Sequence, residues 1–158
     1  MRLKINKFLG LMLMGALTLI SCTSAPATME SVEKAFAEGN ERYLTNVKDG
    51  TIPVKDVKIH SAAGQKLAQL LQARFAEDID RAKAKGDLAF LEKAASGIGF
   101  PGATDALKRR ASGYAGSIGR AELRADIEKA NKAGDLSRLE SLSSDPSNPY
   151  LDAELRRL

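Results

Sequence analysis

Two stretches of the chain, residues 78–92 and 126–140, are near copies of each other, at an offset of 48 in the numbering. The sequences DIDRAKAKGDLAFLE and DIEKANKAGDLSRLE are identical at eight of their fifteen positions. A weaker copy, VEKAFAEGNERYL at residues 32–44, precedes the first of these at an offset of 47. A fixed period of this length is typical of proteins in which each repeat buries its apolar face against its neighbour. The body of the chain is therefore expected to contain about three copies of a 47–48-residue unit.

Each copy predicts a helical hairpin. Glycine accepts the left-handed conformation that ends a helix, so Gly86 should stop a long helix, and Asp87 should cap the next one. The same device recurs at Gly134-Asp135 and, as Gly39-Asn40, in the first copy. Because a helix-ending turn explains the chain reversal in all three copies, we favour this interpretation of the Gly-Asp pair over a metal- or phosphate-binding loop. The apolar side chains of the long helix fall at three- and four-residue spacing, as one stripe: Ala63, Leu67, Leu70, Leu71, Phe75, Ile79 and Ala82.

The resulting fold class is all-α, built from antiparallel helical hairpins. The Ala-x-x-x-Gly-Asp turn loosely resembles that of tetratricopeptide-type solenoids. The offset between copies is longer than the period of that family, which is about 34 residues. The aromatic positions of the family are also missing, so the sequence does not support membership.

The long helix of the third copy contains three glycines spaced three residues apart: Gly113, Gly116 and Gly119. Each costs roughly 1 kcal/mol relative to alanine inside a helix. Two interpretations remain open: the helix breaks near 113–119, or the glycines let another element approach closely. The break is favoured, since no large apolar residues flank the glycines, and whether residues 103–133 form one helix or two stays undecided.

One segment is ambiguous between strand and helix. Residues 51–59, TIPVKDVKI, alternate apolar and polar side chains as a strand would. However, Pro53 aligns with Pro101 and Pro149 in the other copies, and proline is favoured in the first turn of a helix. The repeat therefore predicts that residues 54–59 are helical.

Residues 1–22 have the features of an export and lipidation signal. Residues 1–7 carry three basic residues and no acid, and residues 8–20 are uncharged. This run of thirteen residues is too short to span about 30 Å of hydrocarbon, and fits the apolar core of a signal peptide. The boundary Leu19-Ile20-Ser21-Cys22 resembles the lipobox of bacterial lipoproteins, and Cys22 is the only cysteine.

The lipoprotein resemblance implies a modification and a location. Residues 1–21 would be cleaved, and Cys22 would carry a thioether-linked diacylglycerol, with two or three acyl chains giving stable anchoring. Thr23 stands where inner-membrane lipoproteins typically carry Asp, which implies the periplasmic face of the outer membrane. Residues 22–29 are then the lipidated cysteine and a short tether, and residues 30–158 the helical repeat domain.

The charge of the chain belongs largely to the export signal. The full sequence has a formal net charge of +4, which falls to +1 once residues 1–21 are removed. The remaining charge gives no support for a nucleic-acid partner. The densest basic cluster, Lys108-Arg109-Arg110, is echoed by Arg156-Arg157 and could bind phosphate or carboxylate groups of an anionic envelope ligand. A solvated helix face is the favoured interpretation of that cluster.

Motifs for catalysis are weak. Ser31-Val32-Glu33-Lys34 fits SxxK without its companion motifs, and Ser31 is better explained as a helix cap. Residues 97–102 fit GxGxxG, but a helix rather than a strand is expected before them. His60 is the only histidine, and Glu77 with Asp80 is a common spacing on solvated helices. The sequence therefore predicts no enzyme, no cofactor and no metal site.

Taken together, these features predict an outer-membrane-anchored periplasmic lipoprotein that binds or scaffolds another envelope protein. One alternative is an inhibitor or immunity-type lipoprotein that neutralises an enzyme or toxin. A peptidoglycan- or lipid-modifying enzyme is the third and least favoured class. No residue in the sequence names the partner.

Overall fold

The computed structural model describes residues 25–157, and within this range the fold is all-α, as predicted. Outside the helices, the regular pairing there is one isolated bridge between Ala27 and Val54. The helices are α1 (Met29–Ala37), α2 (Glu41–Lys48), α3 (Lys58–Lys85), α4 (Leu88–Ser96), α5 (Asp105–Ala133) and α6 (Leu136–Ser144), followed by one 3-10 turn (Leu155–Arg157).

The three turns predicted from the repeat share one geometry. Gly39, Gly86 and Gly134 have φ of 66°, 68° and 66°, in the left-handed region. In each turn the next side chain then caps the following helix by accepting a backbone N–H: Asn40 from Tyr43 at 3.0 Å, Asp87 from Phe90 at 3.0 Å and Asp135 from Arg138 at 2.9 Å. Local chemistry thus ends one helix and starts the next in all three hairpins.

The core is divided into three clusters along the chain, and each long helix contributes to two of them. One half of α3 packs with α1 and α2, and its other half packs with α4 and the first half of α5. The second half of α5 packs with α6 and with the C-terminal segment through Leu123, Ile127 and Leu155. Neighbouring hairpins are therefore joined by shared long helices.

The favoured break at residues 113–119 is wrong, because α5 is one helix from Asp105 to Ala133. Its buried face carries Ala111, Ala115, Leu123 and Ile127, which pack against two hairpins. Tertiary burial of this face outweighs the roughly 3 kcal/mol that three glycines cost an isolated helix.

The predicted helix at residues 54–59 is wrong for residues 54–57, since α3 begins only at Lys58. The backbone before it is extended: the Ala27 N–H donates to the Pro53 carbonyl at 2.8 Å, and Ala27 bridges Val54. Asp56 then accepts the Lys58 N–H at 2.9 Å, in a turn that leads into α3. A proline at this repeat position marks the loop before a helix and not the first turn.

The start of the fold lies slightly earlier than the expected boundary at residue 30. Ala27 is only 2% exposed, and Met29 is the first residue of α1. Thr28, not Ser31, is the N-cap; the Thr28 side chain accepts the Ser31 N–H, and the Ser31 hydroxyl accepts the Thr28 N–H. The expected tether therefore ends in a residue that is packed into the first core cluster.

Candidate functional site

The predicted basic patch does not form a free cluster of three cations. The Lys108 ammonium lies 2.7 Å from Asp105, one turn earlier on α5, and this contact holds the pKa of Asp105 below its usual value. Arg110 pairs with Asp80 of α3 at 2.5 Å. Its Nε–H also donates to the Tyr114 hydroxyl, which raises the pKa of the guanidinium. Two of the three predicted binding residues are thus engaged within the fold.

Arg109 is exposed and makes no ion pair among the described residues. The echoed pair Arg156-Arg157 lies in the C-terminal 3-10 turn, where both residues are exposed. Lys108 and Arg110 of the predicted cluster are therefore paired within the fold, whereas Arg109 and the Arg156-Arg157 pair are exposed to solvent.

Three of the residues considered for catalysis, His60, Asp80 and Ser31, make contacts within the fold. The His60 Nδ1 lies 2.5 Å from the Val47 carbonyl oxygen, which ties the start of α3 to the end of α2. Asp80 is paired with Arg110, and Glu77 is exposed without an ion pair among the described residues. The Ser31 hydroxyl takes part in the α1 cap and accepts a 2.8 Å hydrogen bond from Tyr43. These side chains are not brought together in one place.

The GxGxxG segment is a loop between two helices, as its position in the repeat suggested. Gly97, Gly99 and Gly102 all have positive φ, between 71° and 82°. A Cβ on Gly102 would lie 2.6 Å from the backbone carbonyl carbon of Leu71 in α3. The last glycine is therefore required by close backbone packing against α3.

Among residues 25–157 an open groove lies between α4, α5 and residues 149–152, and we call it the C-terminal groove. Its volume is about 600 Å³, and Ser112, Gly113 and Gly116 of α5 are among its lining residues. A Cβ added at Gly113 or at Gly116 would meet no other atom within 4 Å. Glu92 of α4, Arg120 of α5 and the C-terminal residues Tyr150 and Asp152 also line it.

Tyr150 closes one side of this groove. Its hydroxyl donates a hydrogen bond to the Glu92 carboxylate. Burial, together with that hydrogen bond, raises the pKa of Tyr150 to about 12. The groove is therefore lined by the Glu92 and Asp152 carboxylates, the Arg120 guanidinium and a phenol that keeps its proton to high pH.

Tyr150 was missed as a structural anchor, although the repeat contains the signal for it. A Cβ on Gly119 would lie 2.6 Å from the Tyr150 ring, so the ring rests directly on the α5 backbone. One repeat earlier, Gly102 stands at the position of Tyr150 and Leu71 at the position of Gly119, and these two residues are also in contact. In the earlier pair the loop residue is glycine and the helix residue is large, whereas in the later pair the helix residue is glycine and the loop residue is large. The third glycine of α5 therefore allows close packing against the C-terminal segment.

The last hairpin leaves one helix face uncovered within residues 25–157. Helix α4 packs most extensively against the helix that follows it, α5, whereas α6 packs mainly against the preceding α5 and has no buried residue. Leu91 of α4 is fully buried, but its counterpart Leu139 is only partly buried, and Leu136 is 77% exposed. We call the uncovered surface the α6 outer face, and it consists of the exposed residues Leu136, Glu140 and Ser143, whereas Leu139 packs against the third core cluster.

The predicted lipidation site, Cys22, and the signal peptide at residues 1–21 lie outside the described residues. None of the helices formed by residues 25–157 is long and apolar enough to cross a membrane. In the same range, no group of three or more His, Cys, Asp or Glu side chains is arranged to hold a metal ion. Comparison with protein-family models, curated proteins and solved structures gives no match.

Proposed function

We propose that this chain is an envelope lipoprotein, anchored through Cys22 at the periplasmic face of the outer membrane, whose helical domain binds another envelope protein. The export signal and lipobox at residues 1–22 support the location. The open groove and the exposed helix faces of residues 25–157 offer surfaces for such contact.

The observation that carries this proposal is the α6 outer face. At the corresponding positions of α4, Leu88 and Leu91 pack in the second core cluster, whereas Leu136 of α6 is exposed. Leu136 is 77% exposed on this face, where a partner could contact it without any change in the fold. A lipid anchor would raise the local concentration of this surface at the membrane and so strengthen its binding there.

Site-specific photocrosslinking in living cells tests the proposal. A photoreactive phenylalanine analogue replaces Leu136 in one variant and Val57 in another. Val57 serves as the control because it is 79% exposed but lies outside α6, in the loop between α2 and α3. We expect one reproducible crosslinked envelope protein from position 136 and none from position 57. The proposal is wrong if the two positions crosslink the same set of proteins, or if position 136 crosslinks nothing at native expression.

A further inference from the structure

The point where the expected tether enters the fold is fixed in place. Ala27 is only 2% exposed and belongs to the first core cluster. Its N–H donates to the Pro53 carbonyl at 2.8 Å, and it forms a bridge with Val54. The end of the tether therefore lies beside the loop between α2 and α3, and it cannot leave this loop without uncovering part of the core.

The covalent path from the expected lipid anchor to this point is short. Ala27 is five residues after Cys22. An extended chain covers at most about 3.6 Å per residue, so the Ala27 backbone stays within about 18 Å of Cys22 in any conformation. Helix α3, which begins directly after the loop, has 28 residues and is about 42 Å long. With Cys22 acylated, the tether holds the loop and the start of α3 near the membrane, whereas the far end of α3 at Gly86 is not held in this way.

Apolar side chains are exposed at the same place. Val57 is 79% exposed and Met29 is 46% exposed. Each lies within three residues, along the chain, of one of the two residues that form the bridge. The other large apolar residues that are exposed in the described range, Ile98 and Leu136, belong to later hairpins. An apolar side chain held at a membrane surface gains free energy by entering the boundary between the headgroups and the acyl chains.

The charges around Val57 also suit a phospholipid surface. Lys55 and Lys58 are exposed, and neither makes an ion pair among the described residues. Asp56, between them, accepts the Lys58 N–H at 2.9 Å. Residues 55–58 thus contain two lysines and one aspartate, and carry a net charge of +1. The long stem of lysine lets its ammonium group reach lipid phosphates while an apolar neighbour lies deeper.

From these observations we infer that residues 55–58 form a membrane-contact loop on the phospholipid surface in which Cys22 is anchored. Val57 enters the boundary between headgroups and acyl chains, and Lys55 and Lys58 contact lipid phosphates. The first hairpin then faces the bilayer, which leaves the later hairpins free to contact a protein in the periplasm. This orientation rests on the proposed function, since only an acylated Cys22 brings the loop to a membrane.

Lipid quenching of a fluorophore on the loop tests this contact. The fluorophore is attached to Val57→Cys in the mature acylated chain, in which the Cys22 thiol is blocked by its thioether bond. The chain is reconstituted in vesicles of phosphatidylethanolamine and phosphatidylglycerol that contain nitroxide-labelled lipid. Leu136→Cys, at a residue of matched exposure (77%) in the last hairpin, is the control. We expect quenching at position 57 to be at least about threefold stronger than at position 136, because an inserted side chain lies beside the labelled lipids.

Charge reversal tests the role of the two lysines. Lys55→Glu combined with Lys58→Glu should reduce the quenching at position 57 by about half or more, because the reversed charges repel the anionic lipid. Lys129→Glu combined with Lys132→Glu, at two exposed lysines of α5, should leave this quenching unchanged. Equal effects of the two double substitutions would overturn the assignment of Lys55 and Lys58 to lipid phosphates.

Three results would overturn the membrane contact itself. They are no quenching at position 57, equal quenching at positions 57 and 136, and a protein crosslinked at position 57 in cells, which would show that a protein covers the loop. Mass spectrometry of the same purified chain reports the acylation of Cys22 independently. An acylated chain with an unquenched fluorophore at position 57 would refute the contact and leave the proposed function standing, whereas a chain without acyl groups would refute both.

Discussion

Alanine substitution at two glycines of α5 should stabilise the protein. Gly113 and Gly116 lie in the interior of a 29-residue helix, and a Cβ at either position would meet nothing within 4 Å. Alanine is favoured over glycine there by about 0.8–1.0 kcal/mol. Since no new contact offsets this gain, each substitution should raise the free energy of unfolding by about 1 kcal/mol, and the pair by about 2 kcal/mol.

Gly119 provides the matched control in the same helix. Its substitution gains the same helix propensity, but the new Cβ would lie 2.6 Å from the Tyr150 ring. Overpacking of this kind costs about 1–3 kcal/mol, so Gly119→Ala should be neutral or destabilising by up to about 2 kcal/mol. In a Tyr150→Ala background the obstacle is gone, and Gly119→Ala should become stabilising by about 1 kcal/mol.

Urea unfolding followed by far-UV circular dichroism measures these differences. The midpoint should rise for Gly113→Ala and Gly116→Ala with an unchanged m-value, and it should fall or stay constant for Gly119→Ala. If all three substitutions shift the midpoint equally, the close contact between Tyr150 and Gly119 is wrong. If Gly113→Ala and Gly116→Ala leave the midpoint unchanged or lower it, α5 is not a continuous helix through this region.

Two further predictions concern the turns and the groove. Asp87→Ala removes the acceptor of the Phe90 N–H and should lower the free energy of unfolding in urea by about 1 kcal/mol. Asp87→Asn should retain most of the stability, because Asn40 caps a helix in the same way in the first turn. Equal losses in the two variants would contradict the capping role. The pKa of Tyr150 is raised from 10.0 to about 12, so the folded chain keeps a proton that the unfolded chain releases, and stability should fall as the pH rises through this window. Tyr150→Phe should flatten that decline, and superimposable pH profiles of the two proteins would refute the assignment.

The sequence is informative where the determining chemistry is local. A glycine followed by a capping side chain ends one helix and starts the next within a few residues, so the turns at Gly86 and Gly134 could be predicted. The stripe from Ala63 to Ala82 likewise follows from helical spacing alone. These features needed no knowledge of the tertiary packing.

The errors occur where distant residues decide the outcome. Helix α5 is continuous because its alanine face is buried against other helices, which helix propensity does not register. The basic cluster is divided because Asp80, 30 residues away, pairs with Arg110. Residues 54–57 are not helical because Ala27 pairs with Pro53 and Val54 at the start of this segment. In each case a tertiary contact outweighs the local preference.

The contact between Tyr150 and Gly119 is an intermediate case. Neither residue stands out in the sequence, but the repeat relates them to another pair of neighbours, Gly102 and Leu71. Comparing repeat positions across copies could therefore have identified the contact. The large residue is the helix residue Leu71 in one copy and the loop residue Tyr150 in the other. The same comparison identifies the α6 outer face, through the residues that it shares with α4.

The claim that this protein is an anchored envelope lipoprotein is tested most directly by metabolic labelling with radioactive palmitate, combined with membrane fractionation. The unmodified chain and a Thr23→Ala control should incorporate label, lose residues 1–21 and sediment with the outer membrane. Cys22→Ala should incorporate no label and leave the outer-membrane fraction. Label, cleavage and fractionation that are identical in the Cys22→Ala variant would contradict the lipoprotein assignment and, with it, the envelope location of the partner.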